Sequence, residues 1–377
     1  MNLTFFLLVN ALVAAIAGLT QAQVGPDIVW ATNAHFSDVT SVSFSGDSTR
    51  LASAGGDLHA KVWTVPSGQL VRDIATLTDG FLSTALSSSG TELATGLGNG
   101  RTRMRSVETG FSLWQSAEID YPALQVAYSP DDQFVARAYS VTWLFLHDAA
   151  TGAGPILEGH SDVIGCVTFS PDSQWLASGS ADQTARLWQV SNQVCLRVFQ
   201  HSNSVGSVDF SPDGRLLATS SEDGVRYWNV TNGALLTFFA TEPYSTARFS
   251  ANGKLVVTLA NEVFRLWRVP SGESLGSITN SGAVTYALSK NGKYLAYGRN
   301  DFAVVLAHLP VVIDSITRTG NETVLNWQGG SGLYQLQSNT SFTTNGWQNL
   351  GAPTTNTVAT NVSSASQFFR VQSLPNP

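Results

Sequence analysis

The chain has 377 residues and a formal net charge of −7, with 20 Lys and Arg against 27 Asp and Glu. That acidic balance excludes the basic stripe a nucleic-acid surface requires, and the length suits one large domain with a smaller companion. Only 12% of residues are charged, about half the share of an ordinary soluble domain, so polarity rests on Ser, Thr, Asn and Gln.

Residues 1–22 read as a secretory signal: the apolar run "FFLLVNALVAAIAGL" is followed by "TQA", a small-residue cleavage site before Gln23. A retained anchor is the alternative, although the run is short against the roughly 20 residues a span needs. The expected location is secreted or periplasmic, with no membrane span after cleavage. Next comes "IVWAT", Ile28 to Thr32, a short strand pattern standing alone.

From residue 39 onward the chain repeats itself. "TFSPDSQWLASGSADQTARLW" at 168–188 returns as "DFSPDGRLLATSSEDGVRYW" at 209–228. The Ser that opens the first turn recurs at Ser45, Ser87, Ser129, Ser170, Ser211, Ser250 and Ser289, a period of about 40 residues. An eighth copy would fall at "QGGSGLYQL", which lacks the rest of the pattern, so the count is seven. Each copy alternates short β-rich runs with Pro, Asp, Ser and Gly turns, and an outer strand such as "CLRVFQH" precedes the next copy. A sheet this small cannot bury its own faces, so the copies must stack on one another.

Gly159-His160, Asp182 and "ARLW" ending at Trp188 carry a resemblance to the WD-repeat family, extending over roughly residues 27 to 310. It implies an all-β fold, a seven-bladed β-propeller of four-stranded blades. In that family's pattern a buried hydrogen-bond chain ties a loop His through Ser or Thr to a Trp indole. The matching groups are His35, Ser53, Asp57 and Trp63; His160, Ser178, Asp182 and Trp188; and His201, Thr219, Asp223 and Trp228. Three copies of one constellation argue for scaffolding over catalysis, which needs a single exposed nucleophile beside a base and an oxyanion hole. No enzyme, metal site or cofactor is expected, since the six His are dispersed by blade and no turn has a metal-ligand series.

The seventh copy ends without an outer strand, so Ile28 to Thr32 is expected to pair with the strand ending at Leu309 and close the ring. Cys166 and Cys195 fall on the innermost and outermost strands of blade four. About 14 Å of sheet separates them, beyond disulfide reach, so both are expected to be buried free thiols. Two places before their turn Ser residues, Asp209 and Arg248 stand at equivalent heights on blades five and six. An interblade ion pair beside the channel is expected there.

Departures from the pattern point to function. Arg105 takes the Trp position of blade two, preceded by Arg103 and Arg101, and His147 takes it in blade three. A period of two puts the three arginines on one strand face, either as an anion- or partner-docking groove or as an interblade ion-pair ladder. Phe36, Phe81, Tyr121 and Tyr244 stand at the openings of inner strands, either as partner anchors on the wide top face or as packing between blades.

Residues 311–377 change texture to short alternating strands rich in Thr, Asn and Gly. They read as a small C-terminal β-sandwich resembling a fibronectin type III-like module, after a propeller over 23–310. The expected function is an exported, non-enzymatic interaction scaffold that presents its top face to a protein or peptide partner. The alternative is a carbohydrate- or cell-envelope-binding protein.

Overall fold

A computed structural model describes residues 27–309, apart from Tyr244 and Asn280, and beyond them the backbone of six strands between 312 and 373. The expected signal segment lies outside the described residues. The loops and side chains of the expected C-terminal β-sandwich lie outside them too.

Among the described residues 27–309, seven four-stranded antiparallel sheets follow one another along the chain. Blade four shows the plan, with strands Ile164–Phe169, Trp175–Ser180, Thr184–Gln189 and Cys195–Gln200 running from the inside outward. The recurring Ser explains its own recurrence. Ser170 Oγ donates to Asp172 at 2.5 Å and accepts the Trp175 backbone N–H at 2.9 Å, while Asp172 accepts the Gln174 N–H. Two side chains thereby satisfy the turn's backbone. Three places after the Ser, the backbone always takes positive φ: Ser48, Gly90, Asp132, Ser173, Gly214, Gly253 and Gly292 lie between 58° and 73°. Glycine holds four of these seven positions because it has no Cβ to strain there.

The cores lie between blades. Leu176 and Trp188 of blade four pack with Ala136, Ala138, Leu144 and Leu146 of blade three. The inner strands have no strand partner on their axial edge, and side chains from the preceding blade take over that role. Ser41 Oγ accepts the Thr84 N–H, Ser83 Oγ that of Val126, Gln125 Oε1 that of Val167 and Ser207 Oγ that of Ala247, at 2.9 to 3.1 Å.

Ring closure occurs as expected. Ile28 pairs with Ala307, Ala31 with Val305 and Thr32 with Val304, antiparallel. Trp30 of this strand meets Trp63 of blade one at 5.9 Å between ring centres, and Ser48 Oγ accepts the Asn291 N–H across the same seam.

Two expectations need correction. Asp209 and Arg248 form no ion pair: Asp209 Oδ2 accepts the Phe249 N–H at 2.7 Å, while Arg248 Nη1 donates to Ser207 Oγ and Val208 O. Each finds a nearer partner on the neighbouring inner strand, so both join blades five and six separately. Both cysteines are free, but Cys195 is only half-buried because its outermost strand has solvent on one side. Burial pushes the Cys166 thiol up to about 12.

Candidate functional site

Antiparallel strands bring the loop before each inner strand and the turn between the second and third strands to the same end of the sheet. Seven such pairs make one loop face, and the His-containing hydrogen-bond chains stand directly beneath it.

In blade four, Trp188 Nε1–H donates to Ser178 Oγ at 2.8 Å, Ser178 lies 2.7 Å from His160 Nε2, and His160 Nδ1 lies 2.8 Å from Asp182 Oδ2. Burial lowers the pKa of His160 more than Asp182 raises it. With the imidazole neutral, one proton fills each gap and every donor points the same way, from indole to carboxylate. Burial opposes the charge on Asp182, but hydrogen bonds from Thr184, His160 and the Ser161 N–H outweigh it and hold the carboxyl at about 2. Blade one repeats the chain, with Trp63 to Ser53 at 3.2 Å, Ser53 to His35 at 2.9 Å and His35 to Asp57 at 3.0 Å. Ser53 and Ser178 are fully buried, so neither can attack a substrate.

Blade five departs from the expected tetrad. Trp228 donates to Thr219 at 2.8 Å, but both ring nitrogens of His201 are buried without a partner. Asp223 instead accepts two bonds from Arg226, at 2.7 and 2.8 Å, and one from Ser221. Arg226 holds its carboxyl well below the usual range. The reason is loop length: Thr219 precedes its Trp by nine residues, against ten for Ser178. The shorter turn pairs Ser221 with Gly224 and swings Asp223 away from the His. Blade six has the same nine-residue pair, Thr258 with Trp267 at 2.8 Å, a signal that was legible in "TLANEVFRLW" and missed.

Blades two and three use arginine where the pattern has other residues. Arg105 is 6% exposed, and its buried Nη1 has no partner. Its guanidinium lies 5.9 Å from the Phe81 ring, and burial, followed by the charge of Arg103, pushes its pKa down to about 10. Arg101 sits in the turn before the strand Thr102–Ser106 and pairs with Glu118 at 2.7 Å, so the three arginines do not share one strand face. Neither Arg103 nor Arg105 meets a carboxylate in any ion pair among the described residues, which leaves the ion-pair ladder unformed. In blade three, Arg137 takes the buried Ser position between the rings of Tyr139 and Phe145, 4.3 and 4.5 Å away. Its Nη1 donates to Gly100 O, Thr102 Oγ1 and Ser116 Oγ of blade two. Phe145 stacks on His147, which bonds Gly152 O through Nδ1.

The expected aromatic anchors divide. Phe36 is 87% exposed and Tyr121 is also exposed. Phe81 is fully buried, because it is the first residue of an inner strand and faces the core shared by blades one and two. Tyr244 lies outside the described residues. Three further residues surface in loops of the same face: Leu77, 96% exposed, and the exposed Trp143 and Phe302. Trp143 meets Tyr121 edge-on at 6.2 Å, and both border a cavity of about 340 Å3 with Asp162, Ser140 and Thr142.

Residues 27–64, 154–189 and 193–229 match the family described as "WD domain, G-beta repeat". Over 186 residues the chain is 26% identical to WD repeat-containing protein 18 of Bos taurus, and 25% identical to that of Homo sapiens, covering 43% of each chain. Over 42 residues it is 50% identical to Ribosome biogenesis protein BOP1 of Rattus norvegicus, 11% of this chain and 6% of that one. The chain thus spans less than half the length of the curated relatives it matches. The expected secreted or periplasmic localisation is corrected by these matches, one of which is to a protein named for ribosome biogenesis. The three matched segments are WD40 repeats, and they lie within the seven four-stranded sheets of a seven-bladed β-propeller.

Proposed function

We propose that the protein is a non-enzymatic scaffold whose loop face docks a protein or peptide partner. The observation that carries this reading is the arc of exposed apolar side chains on that face: Phe302 of blade seven, Phe36, Leu77, and the Tyr121–Trp143 pair of blade three. Consecutive blades on one rigid ring present them, and large aromatic anchors on a preorganised surface favour protein binding. The edge-on geometry of Tyr121 and Trp143 makes a notch, whereas a sugar ring needs a flat platform, so the protein reading is preferred to the carbohydrate one. In the same reading the propeller of residues 23–310 is the docking body and residues 311–377 an appended module.

Affinity capture from the source cells, with wild type, Phe36→Ser/Leu77→Ser and Tyr121→Ala/Trp143→Ala, tests the proposal. Leu196→Ser on the outer rim, also exposed, is the control. Loss of the same captured protein in both loop-face variants, with retention in the rim variant, is expected. Capture unaffected by either loop-face pair would exclude this face.

A further inference from the structure

At the opposite end of the ring axis, where inner strands enter their Ser-led turns, the strands enclose a cavity of about 230 Å3. Two cations line it, Arg248 and Lys290, together with Ser43, Thr168, Thr285 and Gln125, and no carboxylate is among its lining residues. The hydroxyls of Thr168 and Thr285 have no hydrogen-bond partner among the described residues, so both are free to donate.

Arg248 is held in place by a single nitrogen. Its Nη1 donates to Ser207 Oγ at 3.0 Å, Val208 O at 3.1 Å and Ala247 O at 3.2 Å. No acceptor among the described residues takes Nε or Nη2, yet neither is a buried orphan, so both open on the channel. A guanidinium fixed along one edge and free along the other is preorganised for a two-oxygen acceptor. Lys290, exposed on the turn of blade seven, adds a flexible point charge at the cavity rim. The nearby acid, Asp209, directs its carboxylate to the Phe249 N–H instead and does not take the open edge of the Arg248 guanidinium.

We propose that this cavity binds one free phosphate ion, with Arg248 gripping two oxygens through Nε and Nη2, Lys290 supplying charge, and Thr168 and Thr285 donating hydroxyls. The site lies on the face opposite the exposed apolar arc and stands independently of the docking proposal.

Calorimetric titration of the full chain with inorganic phosphate, against sodium chloride at matched ionic strength, tests it. One phosphate per chain is expected, with affinity weakened about tenfold or more in Arg248→Met and several-fold in Lys290→Met. Lys290 makes no hydrogen bond or ion pair among the described residues, so its variant keeps the fold even if Arg248→Met does not. Absence of phosphate binding in the wild type, or equal binding by wild type and Lys290→Met, overturns the proposal.

Discussion

Asp182 and Asp223 occupy the same place in the repeat and answer to different partners, so acid should separate them. The Asp182 carboxyl is held at about 2, below its unfolded value. Its stabilisation is therefore complete above about pH 4 and disappears as pH falls through 2. Asp182→Asn should lose stability at pH 7 and show a shallower decline on acidification, read from urea midpoints across that window. Asp182→Ala takes the closest acceptor from His160 Nδ1 and should cost about 1 to 3 kcal/mol, whereas Asp223→Ala breaks a partly buried pair nearer the surface and should cost less. His201 is held neutral by burial and then by Arg226, down to about 4. Its contribution is present above its unfolded pKa, near 6.5, and is lost as pH falls toward 4. His201→Phe removes two unpaired buried nitrogens and keeps an edge contact with Trp228. It should match or exceed wild-type stability at pH 7 and flatten the loss between pH 6 and 4. Tetrads of one and four were legible from spacing, and so was the defect of five, one residue of turn length. Arg137 was not legible: its acceptors belong to blade two, and no pattern within blade three announces them.

At the scale of single strands and turns, the strand Asp27–Thr32 is the element whose removal says most. It covers the edge of Val304–His308 and carries Trp30 onto Trp63. Deleting residues 23–33 should lower the melting temperature sharply and produce aggregates, since an exposed edge invites strand pairing. Light scattering during a thermal scan reads both. The Ser-led turns offer a finer test: Gly214 sits at φ 70°, and a methyl group there would meet nothing closer than Pro171, 3.8 Å away. Gly214→Ala should therefore cost only the left-handed backbone term, about 1 to 2 kcal/mol. The orphan strand and the missing outer strand were both visible in the sequence, which is why the closure could be deduced. The displaced pairing of Asp209 and Arg248 was not, because register fixes the height of a side chain and leaves its choice of backbone partner open. Double charge reversal at those positions should give little coupling, since each residue is satisfied by the other blade's main chain.

Taken whole, the molecule has its apolar cores between blades, so each sheet is half of two cores and none is complete alone. The seam between blades seven and one is built from residues at both ends of the ring: Ala34, Val39 and Trp63 pack with Tyr294, Ala296 and Leu306. Closure in space is therefore also an order in time. A ribosome makes Asp27–Thr32 first and its partner Val304–His308 last, so the first strand waits through the synthesis of the ring before it can dock. Chains interrupted anywhere between have no closed state to reach, whatever blades they already contain. Nested C-terminal truncations should remain protease-sensitive until they include residue 308, then become resistant in one step. Until Val304–His308 exists, the strand Asp27–Thr32 has no edge to cover, so an unfinished copy keeps an open seam to the end.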